Sequence, residues 1–129
     1  MNPVVHFEIP AKDRKRMAVF YTRIFGWQAK QLGEEMGNYV VVMTTECDGT
    51  GTPKERGQIN GGFFQKSKEN PLPSVVISVD NIKAHMKKVV AGGGKVLGKP
   101  MDIPGVGTYV SFVDTEGNRL SMLQALPRK

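Results

Sequence analysis

Apolar positions along this chain change their period several times, and each change marks an element. In "VVHFEIPA", residues 4–11, side chains alternate across a strand, so Val5, Phe7 and Ile9 share one face while His6 and Glu8 share the other. This run predicts a strand over 4–9 that stops at Pro10. From Ala11 to Phe25 the period becomes helical, because Met17, Phe20, Tyr21, Ile24 and Phe25 fall on one stripe with Lys12, Lys15, Arg16 and Arg23 opposite. Gly26 is placed as a helix-ending glycine. Strands are predicted over 27–32 and 39–45 with a turn at Gly37 and Asn38, and "CDGTGTPKERG", 47–57, has no apolar period and reads as a loop. A fourth strand over 58–65 carries Gly61 and Gly62 in its middle, where glycine marks a bulge or the close approach of a ligand or backbone.

After the linker-like "SKENPLP", 67–73, the same order of elements returns. A strand over 74–79 leads to a helix capped by Asp80 or Asn81, with Ile82, Met86, Val89 and Val90 as its stripe and Gly92, Gly93 and Gly94 at its end. Lys95–Leu97 begins the next strand, "DIPGVG" turns into 108–113, and "DTEGN" turns into 119–125. The chain therefore reads as one domain, 1–129, of two βαβββ modules, 4–65 and 74–125. The fold class is α+β: paired curved sheets, each with a helix on one face, around a cup-shaped cavity. Val75, Ile77 and Val79 are expected on the helix of the second module, with Ser74, Val76 and Ser78 toward the cavity.

Composition narrows the class. A chain of 129 residues, 40% apolar and 23% charged, suits one soluble globular domain that folds without disulfides. No apolar run approaches the ~18 residues of a membrane span, and the opening residues lack a signal-peptide pattern, so the expectation is a cytoplasmic protein with no membrane partner. Cys47, the sole cysteine, makes neither a disulfide nor a CxxC pair. The net charge of +6 is spread over KDRKR (12–16), KSK (66–68), KK (87–88) and the terminal RK without an aromatic-interleaved motif, so no nucleic-acid partner is expected.

The segments "VVHFEIPAKD", "FYTRIFGW", "INGGFF", "VVISVDNI", "VAGGGKV" and "IPGVGTYVSFVDTEGNRLSMLQ" together resemble the vicinal oxygen chelate superfamily, which includes glyoxalase I, bleomycin-resistance proteins and extradiol dioxygenases. The resemblance is nearest to a glyoxalase-related branch without an assigned reaction, and it implies a homodimer. Members such as glyoxalase I hold a divalent metal through four side chains, one on the first and last strand of each half. By motif these positions fall at His6, Asn60, Ser74 and Ser121 in this chain. Only His6 is a usual ligand, since hydroxyls and an amide donate too little charge to offset dehydration of the ion. The expectation is a site with no metal and no other cofactor.

Two main readings remain open. In the first, the chain is a lactoylglutathione-lyase-related enzyme without the usual metal site, a lyase or isomerase with Glu8 as general base and His6 as its polar partner, apolar surroundings raising the carboxyl pKa. In the second it binds a small molecule without turning it over, as drug-resistance proteins of this superfamily do. A metal-dependent lyase is the third and poorest fit. Trp27, Asn60, Gly61, Gly62, Ser74 and Ser121 are the candidate substrate-binding residues, and His85 on the polar side of the second helix is expected to be a solvated surface histidine. The positive charge favours an anionic or neutral ligand.

Overall fold

The computed structural model describes residues 1–127, and the chain divides into two compact units: His6–Pro73, and Met1–Val5 together with the chain from Ser74 onward. The first contains β1 (Val4–Ala11) from His6 on, α1 (Arg14–Phe25), β2 (Gln28–Gln31), β3 (Val40–Met43) and β4 (Asn60–Gln65). Its strands lie in the order β2-β3-β4-β1, with β1 parallel to β4 and the other pairs antiparallel. The second contains β5 (Ser74–Ser78), α2 (Ile82–Ala91), β6 (Lys95–Ile103), β7 (Gly107–Val113) and β8 (Arg119–Ala125). Here the order is β5-β8-β7-β6, with β5 parallel to β8. The α+β class and the repeated βαβββ order are those the sequence pattern predicts.

Each helix begins where a side chain can satisfy an orphan backbone donor. Asp13 accepts from Arg16 N at 3.0 Å to start α1, and Asn81 accepts from Ala84 N at 3.0 Å to start α2. Gly26 ends α1 in the left-handed region (φ 73°) and donates its N–H to Thr22 O. The apolar stripes then seat each helix on its own sheet. In the first unit Val40, Val42 and Phe63 are buried beneath Met17, Ala18, Tyr21 and Trp27, with Phe7 and Ile9 alongside. Each such fully buried side chain contributes about 1.5–3 kcal/mol. In the second, Val79, Ile82, Val110, Phe112 and Met122 form the equivalent core with Ile77, Met86 and Val89 packed on it.

Two expectations fail. Pro10 does not stop β1, which runs on to Ala11 in register with Gln65. In a parallel pair alternate residues aim both backbone groups at the same neighbour; Ala11 O accepts from Lys66 N, so the nitrogen of Pro10 points away from β4 and no rung is lost there. Phe20, on the apolar stripe of α1, is not core: the residue is 53% exposed and Ile24 is 60% exposed, because the part of α1 that meets the sheet is narrower than its apolar stripe.

Candidate functional site

Alternation along β1 sends Phe7 and Ile9 into the core beneath α1 and leaves His6 and Glu8 on the opposite face. A third side chain joins them there. A short 3-10 turn over Glu34–Met36, followed by Gly37 and Asn38 with positive φ (65° and 54°), delivers Tyr39 to the start of β3. Its hydroxyl lies 3.1 Å from His6 Nε2 and donates to Glu8 Oε2 at 3.4 Å. Burial pushes the His6 imidazole down to a pKa of about 4, so it is neutral at neutral pH. A half-buried imidazole, phenol and carboxylate thus form one hydrogen-bonded group.

The glycines of β4 explain how this group fits. By register Gly61 lies level with Phe7 and Gly62 with Glu8. A Cβ at Gly61 would overlap the Phe7 ring on the core side, and a Cβ at Gly62 would overlap the ring and hydroxyl of Tyr39 on the other. The glycines do make room, as their spacing suggests, and rings of the protein itself occupy it. Asn60 lies level with His6, but its amide is committed to neighbouring backbone and loop: Oδ1 accepts from Thr44 N at 2.9 Å, and Nδ2 donates to Cys47 Sγ and Gly51 O, each at 3.2 Å. Asn60 therefore pins the 47–57 loop. Trp27 stacks on Tyr21 (centroids 4.7 Å, 11° between planes) and packs against Phe7, in the core beneath α1 rather than on the face that carries Glu8.

Ser74 and Ser121 belong to the second unit. Ser121 is 2% exposed, and its Oγ lies 2.6 Å from the Tyr109 hydroxyl and 3.0 Å from Ser111 Oγ. His6 and Ser74 each stand seven residues before their module's helix cap, Asp13 and Asn81, and so are counterparts. Glu8 lies level with Gly62 and Val76 with Ser121, so the counterpart of Ser121 is Gly62 and not Asn60. Val41 lies level with Gly62 and Ser111 with Ser121, which makes Tyr39 and Tyr109 counterparts as well. Both tyrosines sit in a repeated G-x-Y-V, "GNYV" at 37–40 and "GTYV" at 107–110. That repeat was the sequence signal for Tyr39, and the alternation of β1 alone does not reveal it.

The donors present do not fit the four-ligand divalent site that the resemblance raises. Of the four motif positions only His6 offers a strong ligand; the Asn60 amide and the Ser121 hydroxyl are engaged by neighbouring protein groups. Among the described residues no three His, Cys, Asp or Glu side chains come together in a metal-binding group.

Comparison with known proteins is consistent across the chain. The family model described as Glyoxalase/Bleomycin resistance protein/Dioxygenase superfamily matches residues 4–122. A glyoxylase-like domain-containing protein of Didymella fabae is 33% identical over 114 residues, covering 86% of this chain and 84% of that protein. The anthracycline biosynthesis protein DnrV of Streptomyces peucetius is 29% identical over 120 residues, covering 86% of this chain but 42% of that protein, so the chain spans less than half of that relative. Among solved structures, a Streptomyces coelicolor methylmalonyl-CoA epimerase variant in complex with 2-nitronate-propionyl-CoA superposes with a TM-score of 0.69 at 14% identity, covering 96% of this chain and 97% of that one. A hypothetical protein of Bacillus halodurans gives 0.69 at 12% identity, covering 99% and 97%. These two show the shared fold.

Proposed function

We propose that this chain, which belongs to the Glyoxalase/Bleomycin resistance protein/Dioxygenase superfamily, binds a small organic molecule on the face of β1 that carries His6 and Glu8, and that Glu8 acts there as the base of a metal-independent lyase or isomerase. The observation that carries this reading is the hydrogen-bonded group of His6, Tyr39 and Glu8, held half-buried on that face. Its chemistry suits a substrate with a C–H bond beside a carbonyl. Glu8 takes the proton, the C–H electron pair moves into the bond toward the carbonyl, and the carbonyl oxygen becomes an enolate oxygen. Return of the proton to the other face gives an isomer; loss of a leaving group gives a lyase product. The neutral His6 adds a polar contact without a competing positive charge. Solved neighbours of the same fold named as methylmalonyl-CoA epimerases are in keeping with proton transfer at such a carbon.

A non-catalytic binding protein is the second reading, favoured by the way Tyr39 already satisfies both His6 and Glu8. A thermal-shift screen with small carboxylic acids and thiol conjugates, each hit then incubated with protein in D2O, separates the two. The enzyme reading expects a raised melting temperature and deuterium entering the ligand, with Glu8→Gln keeping the first and losing the second. Binding without exchange in the unaltered protein selects the second reading, and the absence of any stabilising ligand counts against both. A homodimer in the cytoplasm is part of the same proposal; sedimentation equilibrium checks the stoichiometry. No helix among the described residues is long and apolar enough to cross a membrane.

A further inference from the structure

We infer that Tyr39 is a positioning residue of this site, taking the Nε2–H of His6 and giving its own proton to Glu8, so that the three side chains form a one-way chain of hydrogen bonds. The inference rests on the reading of Glu8 as the base, and it adds a residue that neither the motif positions nor the alternation of β1 points to. A phenol has one proton. Assigned to Glu8 Oε2, 3.4 Å away, it leaves the ring nitrogen of His6 to donate in the 3.1 Å contact. On that assignment His6 is the Nε2–H tautomer with its proton directed at Tyr39. A glutamate side chain has several rotatable bonds, and a donor fixed at Oε2 narrows the orientations its carboxylate samples, which is what a base aimed at one proton requires.

The second module shows that the phenol's place belongs to the scaffold. Tyr109, the counterpart of Tyr39, lies 2.6 Å from Ser121 Oγ, and Ser121 stands where the first module has Gly62. Where the first module carries His6 and Glu8, the second carries Ser74 and Val76, and the phenol there lies against the Ser121 hydroxyl, itself hydrogen-bonded to Ser111. Only in the first module do Gly62, His6 and Glu8 together bring the tyrosine onto an acid–base pair. Gly62 is a requirement of the arrangement, since any Cβ there would displace the ring.

The test reads the protein without ligand, by NMR of its histidine ring nitrogens and side-chain carboxyl groups, in a His85→Gln background that leaves His6 as the single histidine. The expected result at neutral pH is the Nε2–H tautomer of His6. In Tyr39→Phe that tautomer preference should be lost and the carboxyl carbon signal of Glu8 at neutral pH, identified by its disappearance in Glu8→Gln, should move. Gly62→Ala, which pushes the phenol aside without removing any of the three groups, should reproduce both changes, and Tyr109→Phe should produce neither. An Nδ1–H tautomer in the unaltered protein, or His6 and Glu8 signals unmoved in Tyr39→Phe, overturns the inference. These readouts need no turnover, so a failure of Glu8 as base would show instead in the deuterium experiment.

Discussion

Among the described residues His6 carries the clearest pH signature. In the unfolded chain it takes up a proton near pH 6.5, whereas burial delays this in the folded chain until about pH 4. Between those values the unfolded state binds more protons, so stability is lost as the pH falls through that window, up to about 3 kcal/mol at its lower end. Urea unfolding from pH 7 to pH 4 should show this fall, and His6→Gln should flatten it while leaving stability at pH 7 within about 1–2 kcal/mol. The position of His6 beside Glu8 was legible from the strand period. Tyr39 was not, because it lies 33 residues from His6 and meets it only through the pairing of β1 with β4 and of β4 with β3. Trp27 shows the reverse case: an aromatic just past a helix can turn to either side of the sheet, and stacking on Tyr21 decided which.

Of the two helices, α1 is the more exposed to change. None of its residues is fully buried, and its apolar stripe continues past the sheet to exposed Phe20, Ile24 and Phe25. With less packing to hold it, α1 depends more on its ends than α2, which buries Ile82. Asp13→Ala should therefore cost about 1 kcal/mol in urea unfolding and raise the amide exchange of the first turn of α1, while Asp13→Asn, which keeps the capping oxygen, should cost only tenths of that. The end of α1 at Gly26 and the start of α2 at Asn81 were readable here because caps are local. Pro10 was misread because proline forbids a donor, but whether a donor is needed depends on which side of the strand its partner lies, and the distant pairing with β4 sets that.

At the scale of the whole molecule, 18 Lys and Arg against 12 Asp and Glu leave a net charge of +6. The pair formed by Lys54 and Glu46 is solvent-exposed and does little to offset that repulsion. Raising NaCl from about 0.05 to about 0.5 M should thus increase the melting temperature by a few degrees, measured by calorimetry at pH 7; a fall would mean that attractive surface pairs outweigh the net charge. By itself the sequence determined the α+β class, the repeated βαβββ order, the end of α1 at Gly26, the start of α2 near Asp80 and Asn81, and the face of β1 on which His6 and Glu8 lie, since each follows from periods and caps spanning a few residues. Only the tertiary structure decided that Tyr39 bridges His6 and Glu8, that the space over Gly61 and Gly62 belongs to Phe7 and Tyr39, and that Asn60 serves the loop. The reason is physical: neighbours across strands are set by register, and register is a property of chain segments tens of residues apart.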